Sequence, residues 1–410
     1  MRILHTSDWH LGHTLYDQPR SWEQDRFLSW LIDTLEEHAV DAILIAGDIF
    51  DTSNPSAFAQ AQWYRFLAGA RRRIPEIQIV AIGGNHDSAG RLDAPGPVFE
   101  TLGVTIVGGA RANEIDKMLV PLSKGGSVRA WVCAVPFLRP SDLDLGLGGD
   151  DPLVEGVRAL YGGVFQAARE RRSKTQALVA MGHCYFTGTR LSELSERRVL
   201  GGNQHALPLD IFPGDVAYAA LGHLHLAQFV GENECIRYSG SPIALSMSEA
   251  DYPHQVVRVD LDGPEVEAIQ SIRVPRSVPI LRLPEEGFAP LEEVVACLEE
   301  LEVEEPAEGA PEAWLEARVK LDGPDPTLRD RLDAALEGKP VRLVKISRQQ
   351  TGGEGGDDRA PRRQLGDLRV DEVFKDCWAK AHGGEPPERL VEAFEELNEE
   401  ARVKLEEEAA

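Results

Sequence analysis

The sequence predicts an α/β protein in which helices flank β-sheets. Short aliphatic and β-branched runs alternate with amphipathic helical patterns through residues 1–230, as expected for an α/β sandwich. The composition agrees with a globular fold, since 42% of the residues are hydrophobic and 27% are charged. A chain of 410 residues supports two or three domains.

Five short apolar runs predict the buried strands, because each is bounded by charged or turn-forming residues. They span residues 2–5, 42–46, 77–82, 177–180 and 216–221. Residues 22–38 place Phe27, Leu31 and Leu35 at helical spacing, and Asn54 is the predicted N-cap of a second helix over residues 55–72. Three later runs, 235–238, 256–261 and 266–274, are separated by turns and predict an antiparallel meander.

Composition divides the chain into four segments. The α/β domain covers residues 1–276. Residues 277–349 form a smaller unit in which strands at 280–283, 315–321 and 341–346 alternate with helices near 291–301 and 327–336. Residues 350–366 are rich in glycine and charge and predict a flexible linker, and residues 367–410 carry two amphipathic helices.

Charge and cysteine usage exclude several classes of protein. The formal net charge of −25 argues against unaided binding of nucleic acid, although most of the acidic excess lies beyond residue 280. The five cysteines form no Cys-x-x-Cys pair, which argues against a zinc ribbon and a disulfide framework. No secretory segment follows Met1 and no apolar run approaches the ~18 residues of a membrane span, so we expect a cytoplasmic protein.

Each predicted strand of the α/β domain ends in a polar cluster. The five clusters are Asp8-Trp9-His10, Gly47-Asp48, Gly84-Asn85-His86-Asp87, Gly182-His183 and Gly222-His223-Leu224-His225. Side chains at the carboxyl ends of several strands point into one crevice. A single cluster of this kind is more often a turn, but five at strand ends favour a common site.

The residue types in these clusters predict a metal site. Carboxylate and amide oxygens with imidazoles, and no cysteine, favour Mn²⁺, Fe or Zn²⁺. The candidate ligands are Asp8, His10, Asp48, Asn85, His183, His223 and His225. This number exceeds the needs of one ion with an open position and fits two ions that share a carboxylate and catalyse phosphoryl displacement. His86 is then a spare imidazole for proton transfer, with Asp87 expected to orient it.

The order of these motifs resembles that of calcineurin-like metallophosphoesterases. More narrowly, the segments LHTSDWHLG (4–12), AGDIFD (46–51), GNHDS (84–88), VPFLRP (135–140), ALGHLH (220–225) and YSGSP (238–242) resemble the SbcD family, the nuclease components of bacterial SbcCD complexes. This resemblance implies a four-layer sandwich of two β-sheets flanked by helices. It also implies that residues 277–349 are a small α+β capping domain that binds DNA.

The resemblance also implies the ligand sets. One ion, with Mn²⁺ as the expected metal, is held by Asp8, His10, Asp48 and His225, and a second ion by Asp48, Asn85, His183 and His223. His86 matches the catalytic histidine of the family. Archaeal and eukaryotic relatives carry a histidine three residues after the bridging aspartate, where this chain has Asp51. A role of that position, or of His13, in contacting DNA is left open.

The implied activity is that of a DNA nuclease. The family acts as a double-strand exonuclease and a single-strand and hairpin endonuclease in DNA repair, recombination and replication. The chain has no Gly-x-x-x-x-Gly-Lys-Ser/Thr loop, so any ATP hydrolysis must come from the SbcC partner. The resemblance implies that residues 367–410 dock on the SbcC coiled coil, and that the complex is located in the cytoplasm at the nucleoid. It also implies a homodimer within a heterotetramer. The dimer interface would be formed by residues 92–102 and by the helix that carries Phe58, Trp63, Tyr64 and Phe66.

Two other functions remain open from the sequence alone. The same scaffold supports small-molecule phosphodiesterases and phosphatases, and a non-catalytic architectural protein would use metals only to hold its fold. Basic clusters at residues 71–73, 169–174 and 197–198 are candidates for phosphate contact, although most such clusters are solvated helix ends.

Overall fold

The computed structural model describes residues 1–110, 113–144, 146, 151–190 and 206–350, with a few positions between 374 and 394. The chain separates into two compact units. The first comprises Met1–His13 and Glu23–Ser277, and the second comprises Thr14–Trp22 together with the residues from Val278 onward. The segment Thr14–Trp22, which the sequence prediction assigns to the first domain, therefore belongs with the second unit.

The strands and helices are numbered here in chain order. The strands are β1 (Arg2–Thr6), β2 (Thr14–Leu15), β3 (Gln18–Pro19), β4 (Ala42–Ala46), β5 (Gln78–Ile82), β6 (Val104–Val107), β7 (Leu119–Lys124), β8 (Ser127–Ala134), β9 (Ala177–His183), β10 (Tyr218–Gly222), β11 (Gln228–Val230), β12 (Asn233–Tyr238), β13 (Gln255–Asp262), β14 (Glu265–Arg273), β15 (Ile280–Leu283), β16 (Ala289–Pro290), β17 (Ala313–Leu321) and β18 (Val341–Gln350). The helices are α1 (Ser21–Glu37), α2 (Ala57–Arg73), α3 (Ala89–Asp93), α4 (Gly96–Glu100), α5 (Pro152–Arg171), α6 (Leu291–Glu300) and α7 (Leu328–Ala335).

Two six-stranded sheets form the centre of the first unit. The strand order is β14-β13-β1-β4-β5-β6 in one sheet and β11-β12-β10-β9-β8-β7 in the other. β1, β4, β5 and β6 are parallel neighbours, as are β8, β9, β10 and β12. The carboxyl ends of β1, β4 and β5 therefore meet at one edge of the first sheet, and those of β9 and β10 meet at one edge of the second.

Side-chain alternation along the strands builds the layers. In β4, Ala42 and Leu44 pack with residues of the second sheet, whereas Ile43 and Ile45 pack with Phe27 and other residues of α1 and α2. Helix α5 adds its buried residues to the core of the second sheet. The predicted arrangement of two sheets flanked by helices is thereby confirmed.

Two local expectations are wrong, and the sequence prediction omits a strand and a helix. The predicted meander is divided between the sheets, because β12 pairs with β10 and β11 while β13 and β14 form a hairpin next to β1. The N-cap of α2 is Ser56, whose side chain accepts a hydrogen bond from the Ala59 amide, rather than Asn54. Strand β8 and helix α5, neither of which the sequence prediction included, complete the second half of the unit.

The second unit contains a four-stranded sheet in which β17 pairs in parallel with β15, β16 and β18. One face is covered by α6 and α7 through Val294, Leu298 and Leu332. The β2–β3 hairpin belongs to this unit: the Arg20 guanidinium lies 4.9 Å from the Trp314 ring centroid, and Arg342 donates to Gln18.

The predicted linker at 350–366 lies outside the described residues except for Gln350. Only a few positions of the predicted helices at 367–410 are described. Among these, the rings of Phe374 and Phe394 stack with their centroids 4.2 Å apart, so the two amphipathic segments contact each other. Within the described residues, no helix combines the length and the apolar character that a membrane span requires.

Candidate metal centre

The structure brings together the seven side chains that the sequence singles out as metal ligands. They follow or end strands β1, β4, β5, β9 and β10 and are Asp8, His10, Asp48, Asn85, His183, His223 and His225. The site therefore lies at the carboxyl ends of strands from both sheets, where α/β proteins bind ligands. Six of the seven are buried, and Asn85 is half-buried.

A first cluster consists of Asp8, His10 and His225. Each offers one ligand atom, and the three atoms lie within 4.8 Å of one another. The rings of His10 and His225 meet edge to face with their centroids 5.3 Å apart. We call this set the first cluster.

A second cluster consists of Asn85, His183 and His223. The Asn85 Oδ1 atom lies 3.0 Å from His183 Nε2 and 3.0 Å from His223 Nδ1. The three side chains thus direct one oxygen and two nitrogens toward one small volume. We call this set the second cluster.

Asp48 lies between the two clusters. Its Oδ2 atom is 3.5 Å from His10 Nε2 and 3.3 Å from His183 Nε2, and its Oδ1 atom accepts the backbone N–H of His86 at 2.9 Å. One carboxylate oxygen therefore faces a histidine of each cluster. This is the placement expected of a carboxylate that bridges two cations.

The donors fit divalent cations. Among the described residues, the buried Nε2 of His10 has no hydrogen-bond partner, which is costly for a buried polar atom unless a cation binds it. The donor set of carboxylate, amide and imidazole suits Mn²⁺, Fe or Zn²⁺ rather than a metal that requires thiolate. Together these observations match a site for divalent metal.

The backbone is strained at four of the candidate ligand residues. Asp8, His10, Asp48 and His223 have φ values of 56°, 46°, 49° and 102°. Non-glycine residues rarely adopt positive φ, and such strain, of order 1–3 kcal/mol per residue, clusters at functional sites. The turns that carry the ligands are therefore held in place by the surrounding fold.

Glycines next to the ligands permit close approach of the backbone. A Cβ atom at Gly47 would lie 2.3 Å from His183 Nδ1, and one at Gly84 would lie 2.2 Å from Asp48 Oδ1. At Gly222 it would meet the carbonyl oxygen of Ala46. These glycines therefore allow the backbone to pack tightly around the candidate ligands.

Carboxylates support both histidines of the first cluster. His225 Nδ1 lies 3.0 Å from Oε1 of the fully buried Glu249, and His10 Nδ1 lies 3.2 Å from Oδ1 of Asp51. The Glu249 carboxylate also accepts the Leu245 amide at 2.8 Å. Hydrogen bonds of this type fix the tautomer and orientation of a ligating imidazole and raise its basicity. Glu249 was not recognised in the sequence.

Neutral groups support the other ligands. His183 Nδ1 lies 2.8 Å from the carbonyl oxygen of Ala46. Asp8 is held by the hydroxyl of Ser7, 2.5 Å from its Oδ2, and by the His223 amide, 2.9 Å from its Oδ1. The Ser7 hydroxyl in turn lies 2.8 Å from that of Ser239, which belongs to the YSGSP segment. This contact explains the presence of that segment beside the site.

The structure corrects the expected role of Asp87. Its carboxylate accepts the backbone amides of Ile49 at 3.1 Å, Phe50 at 3.0 Å and Gly84 at 2.9 Å, and it therefore joins the loops that follow β4 and β5. His86 instead places Nδ1 2.8 Å from the carbonyl oxygen of Asp51. The expectation that Asp87 orients His86 is wrong, because the backbone amides occupy the carboxylate.

Burial and charge act in opposite directions on the histidines of the second cluster. Burial lowers the pKa of His183, but the adjacent Asp48 carboxylate outweighs it and raises that pKa to about 9. Burial lowers the pKa of His223 to about 3, and the charge of His183 adds to this effect. His183 is thus protonated at neutral pH in the absence of a cation, and His223 is neutral.

Ion pairs occupy two of the candidate phosphate-binding clusters. Arg73 pairs with Asp33 at 2.7 Å and also with Glu36. Arg169 and Arg172 both pair with Asp215 at 2.5 Å. These arginines therefore stabilise neighbouring surface elements. The third cluster, 197–198, lies outside the described residues.

The aromatic helix α2 divides between core and surface. Trp63 and Phe66 are buried, whereas Phe58 and Tyr64 are 45% and 43% exposed. Val98 and Leu102, at and just after α4, are also exposed, and the Tyr64 and Phe99 rings lie 6.1 Å apart. The first unit thus presents apolar side chains from α2 and α4 to solvent.

Two family profiles match the sequence. The calcineurin-like phosphoesterase profile matches residues 1–227, which include all seven candidate ligands. The profile SbcD_C, described as the type 5 capsule protein repressor C-terminal domain, matches residues 276–382.

Three curated relatives match over most of their length. The SbcD component of the SbcCD nuclease from Rhodobacter capsulatus is 42% identical to this chain and covers 86% of it, with 88% of the relative matched. The protein of the same name from Escherichia coli K12 is 32% identical, with 91% and 92% covered. That from Bacillus subtilis is 31% identical, with 97% of both chains covered.

Proposed function

This chain belongs to the SbcD family of calcineurin-like phosphoesterases, and on this premise we propose how its residues cleave DNA. It is a metal-dependent nuclease of the SbcCD type. We propose that it acts as a double-strand exonuclease and as an endonuclease on single strands and hairpins. The observation that carries the mechanism is the position of Asp48 Oδ2, within 3.5 Å of a histidine nitrogen in each cluster.

We assign the ligands to two ions, preferably Mn²⁺. Asp8, His10, His225 and Asp48 would hold one ion, and Asn85, His183, His223 and Asp48 would hold the other. When bound, two such ions would supply an activated water and stabilise the charge on the attacking and leaving oxygens of an in-line displacement at phosphorus. The strained turns and the buried supporting hydrogen bonds fix the ligands before substrate arrives.

His86 carries the proton transfer in this proposal. A carbonyl oxygen only accepts, so the Asp51 carbonyl requires a proton on His86 Nδ1. Nε2 is then the atom directed to substrate, and in the imidazolium form, with a proton on each ring nitrogen, it donates a hydrogen bond to the phosphodiester or gives its proton to the departing oxygen. The His86 ring lies 4.8 Å from the ring of His10, beside the first cluster. Asp87 contributes by holding the loop that carries His86.

The test is cleavage of end-labelled duplex and hairpin DNA by the complex with its SbcC partner. We expect cleavage with Mn²⁺ and none after chelation with EDTA. The variant His86→Gln should lower kcat by about 100-fold while binding Mn²⁺ normally. Cleavage that persists in excess EDTA would overturn the metal mechanism. Unchanged cleavage by His86→Gln would remove His86 from the mechanism, and absence of cleavage by the wild-type complex would favour the architectural alternative. Faster hydrolysis of a chromogenic ester than of DNA would favour a small-molecule phosphodiesterase.

We also propose the partners and the location. Residues 367–410 dock on the coiled coil of an SbcC-type ATPase, supported by the stacking of Phe374 on Phe394 within the amphipathic segments. The exposed Phe58, Tyr64 and Val98 form a homodimer interface, and the assembly is a heterotetramer on DNA in the cytoplasm. Truncation after Gly366 should abolish co-purification with SbcC. Light scattering that finds a monomer at micromolar concentration would contradict the dimer.

A further inference from the structure

The loop after β8 runs beside the second cluster. This loop is the VPFLRP segment at residues 135–140. None of its residues is a candidate metal ligand or takes part in the proposed proton transfer. The Phe137 amide donates to the carbonyl oxygen of Gly83 at 2.8 Å, and the Phe137 ring meets His183 edge to face with centroids 6.3 Å apart. The loop is therefore packed against the segment that carries Asn85 and His86.

Arg139 is held in place at this loop. Its guanidinium carbon lies 5.5 Å from the centroid of the Phe137 ring, and Nη2 donates to the carbonyl oxygen of Asp87 at 3.4 Å. The Arg139 amide donates to the Asp142 carboxylate at 2.8 Å, which fixes the backbone at the start of the following turn. The side chain is half-buried, so part of the guanidinium faces solvent.

Among the described residues, the guanidinium of Arg139 has no carboxylate partner, in contrast to three other arginines of the unit. Arg73, Arg158 and Arg169 each pair with an aspartate. A guanidinium presents five N–H donors, and one carbonyl oxygen leaves most of them available. In a chain of net charge −25, an unpaired cation beside the metal centre is suited to an anion from another molecule.

We propose that Arg139 binds a phosphate of the DNA strand next to the phosphate that is cleaved. This inference rests on the proposed nuclease function. The guanidinium contacts the Phe137 ring and the Asp87 carbonyl and none of the candidate ligands, so we expect its donors to reach a flanking phosphate rather than the scissile one. A planar guanidinium matches two oxygens of a phosphate at once. Arg139 is thus a substrate-binding residue that sets the register of the strand on the metal centre.

The test compares Arg139→Gln with Arg158→Gln in the Mn²⁺-loaded complex. Both changes remove one positive charge, but Arg158 lies on α5 and pairs with Asp210 at 3.0 Å. For a labelled DNA duplex, Arg139→Gln should raise KM about tenfold, since hydrogen bonds to charged groups contribute that much binding. The slope of log affinity against log salt should become shallower by about 0.7–0.9. Arg158→Gln should match the wild type.

A second substrate separates the possible outcomes. Bis(p-nitrophenyl) phosphate contains a single phosphate, so Arg139→Gln should hydrolyse it at the wild-type rate, which also shows that the variant is folded. Arg139→Lys should fall between Gln and wild type on DNA, because it retains the charge and loses the planar fork. The proposal is overturned if Arg139→Gln cleaves DNA as Arg158→Gln does, or if both substrates lose activity equally. Failure of the wild type to cut DNA would instead refute the nuclease function.

Discussion

The two clusters of candidate ligands share Asp48 but differ in the groups that form hydrogen bonds to their histidines. Both histidines of the first cluster are backed by carboxylates, Asp51 and Glu249, and the cluster includes the carboxylate of Asp8. In the second cluster, His183 is backed by a backbone carbonyl and the oxygen ligand is a neutral amide. The first cluster therefore carries more negative charge, and we expect it to bind a divalent cation more tightly than the second.

Removal of the shared carboxylate should have the largest effect. Asp48→Asn takes charge from both clusters at once, so both ions should bind weakly and cleavage should fall roughly 100- to 1,000-fold. Calorimetric titration with Mn²⁺ and a DNA cleavage assay measure the two effects. Loss of one ion alone would contradict the bridging position of Asp48.

Glu249→Gln tests the first cluster alone. The amide oxygen still accepts the His225 proton but the charge is lost, so the affinity of the tighter site for Mn²⁺ should fall about 10- to 100-fold. Glu316→Gln is the matched control, because Glu316 is also a buried glutamate and lies in the second unit. A change in the weaker site instead of the tighter one would reverse the assignment.

Gly47→Ala tests the second cluster. The new Cβ would lie 2.3 Å from His183 Nδ1 and should displace that ring, lowering the affinity of the weaker site about tenfold. Gly12→Ala is the control, since Gly12 has φ of 91° against 90° for Gly47 but its Cβ would meet only the Ala59 Cβ at 3.3 Å. Gly12→Ala should therefore introduce the same backbone strain, a loss of stability of about 1–2 kcal/mol, without the contact to His183. Equal effects of the two variants on Mn²⁺ binding would show that strain alone is responsible.

His5 links β1 to β10, and its titration should affect the stability of the fold rather than the affinity of either cluster for metal. It lies on β1, and its Nε2 is 3.1 Å from the carbonyl oxygen of Leu221 on β10. Burial lowers the pKa of His5 to about 3. Between pH 6.5 and pH 3, His5 is therefore protonated in the unfolded chain and neutral in the folded chain. The free energy of unfolding should therefore decrease as pH falls from 6.5 toward 3, by about 1.4 kcal/mol per unit from this residue.

Urea unfolding at several pH values measures this slope for the wild type and His5→Gln. The variant should be less sensitive to acid in that range, whatever its stability at neutral pH. Parallel curves for the two proteins would show that His5 does not titrate as its burial requires.

The sequence predicted the centre of the fold and a set of candidate ligands that lie together in the structure, because the signals of both are local. An apolar run followed by glycine and a polar residue marks a strand end, and His183 and His223 follow this rule. The supporting residues carry no such mark: Glu249 reaches His225 across 24 positions, and Ser239 reaches Ser7 across 232. The YSGSP motif could have identified Ser239 as a residue near the site. The sequence around Glu249 has no feature that distinguishes it from a glutamate exposed on the surface.

The errors have a common physical origin. Asp87 follows His86 directly, yet its carboxylate turns to the amides of Ile49 and Phe50, because a loop of buried backbone needs acceptors. The division of the predicted meander likewise depends on pairing between distant strands, which periodicity along the chain does not encode.

The membership of Thr14–Trp22 in the second unit has a practical consequence. The polypeptide passes from one unit to the other after His13, returns after Trp22 and leaves again after Ser277, so three covalent crossings join them. A fragment ending at Ser277 would keep the β2–β3 hairpin but lose its contacts in the second unit. These contacts are those of Arg20 with Trp314, of Gln18 with Arg342 and of Tyr16 with Lys345. An isolated catalytic fragment should therefore replace residues 14–22 with a short glycine-rich bridge rather than simply stop early.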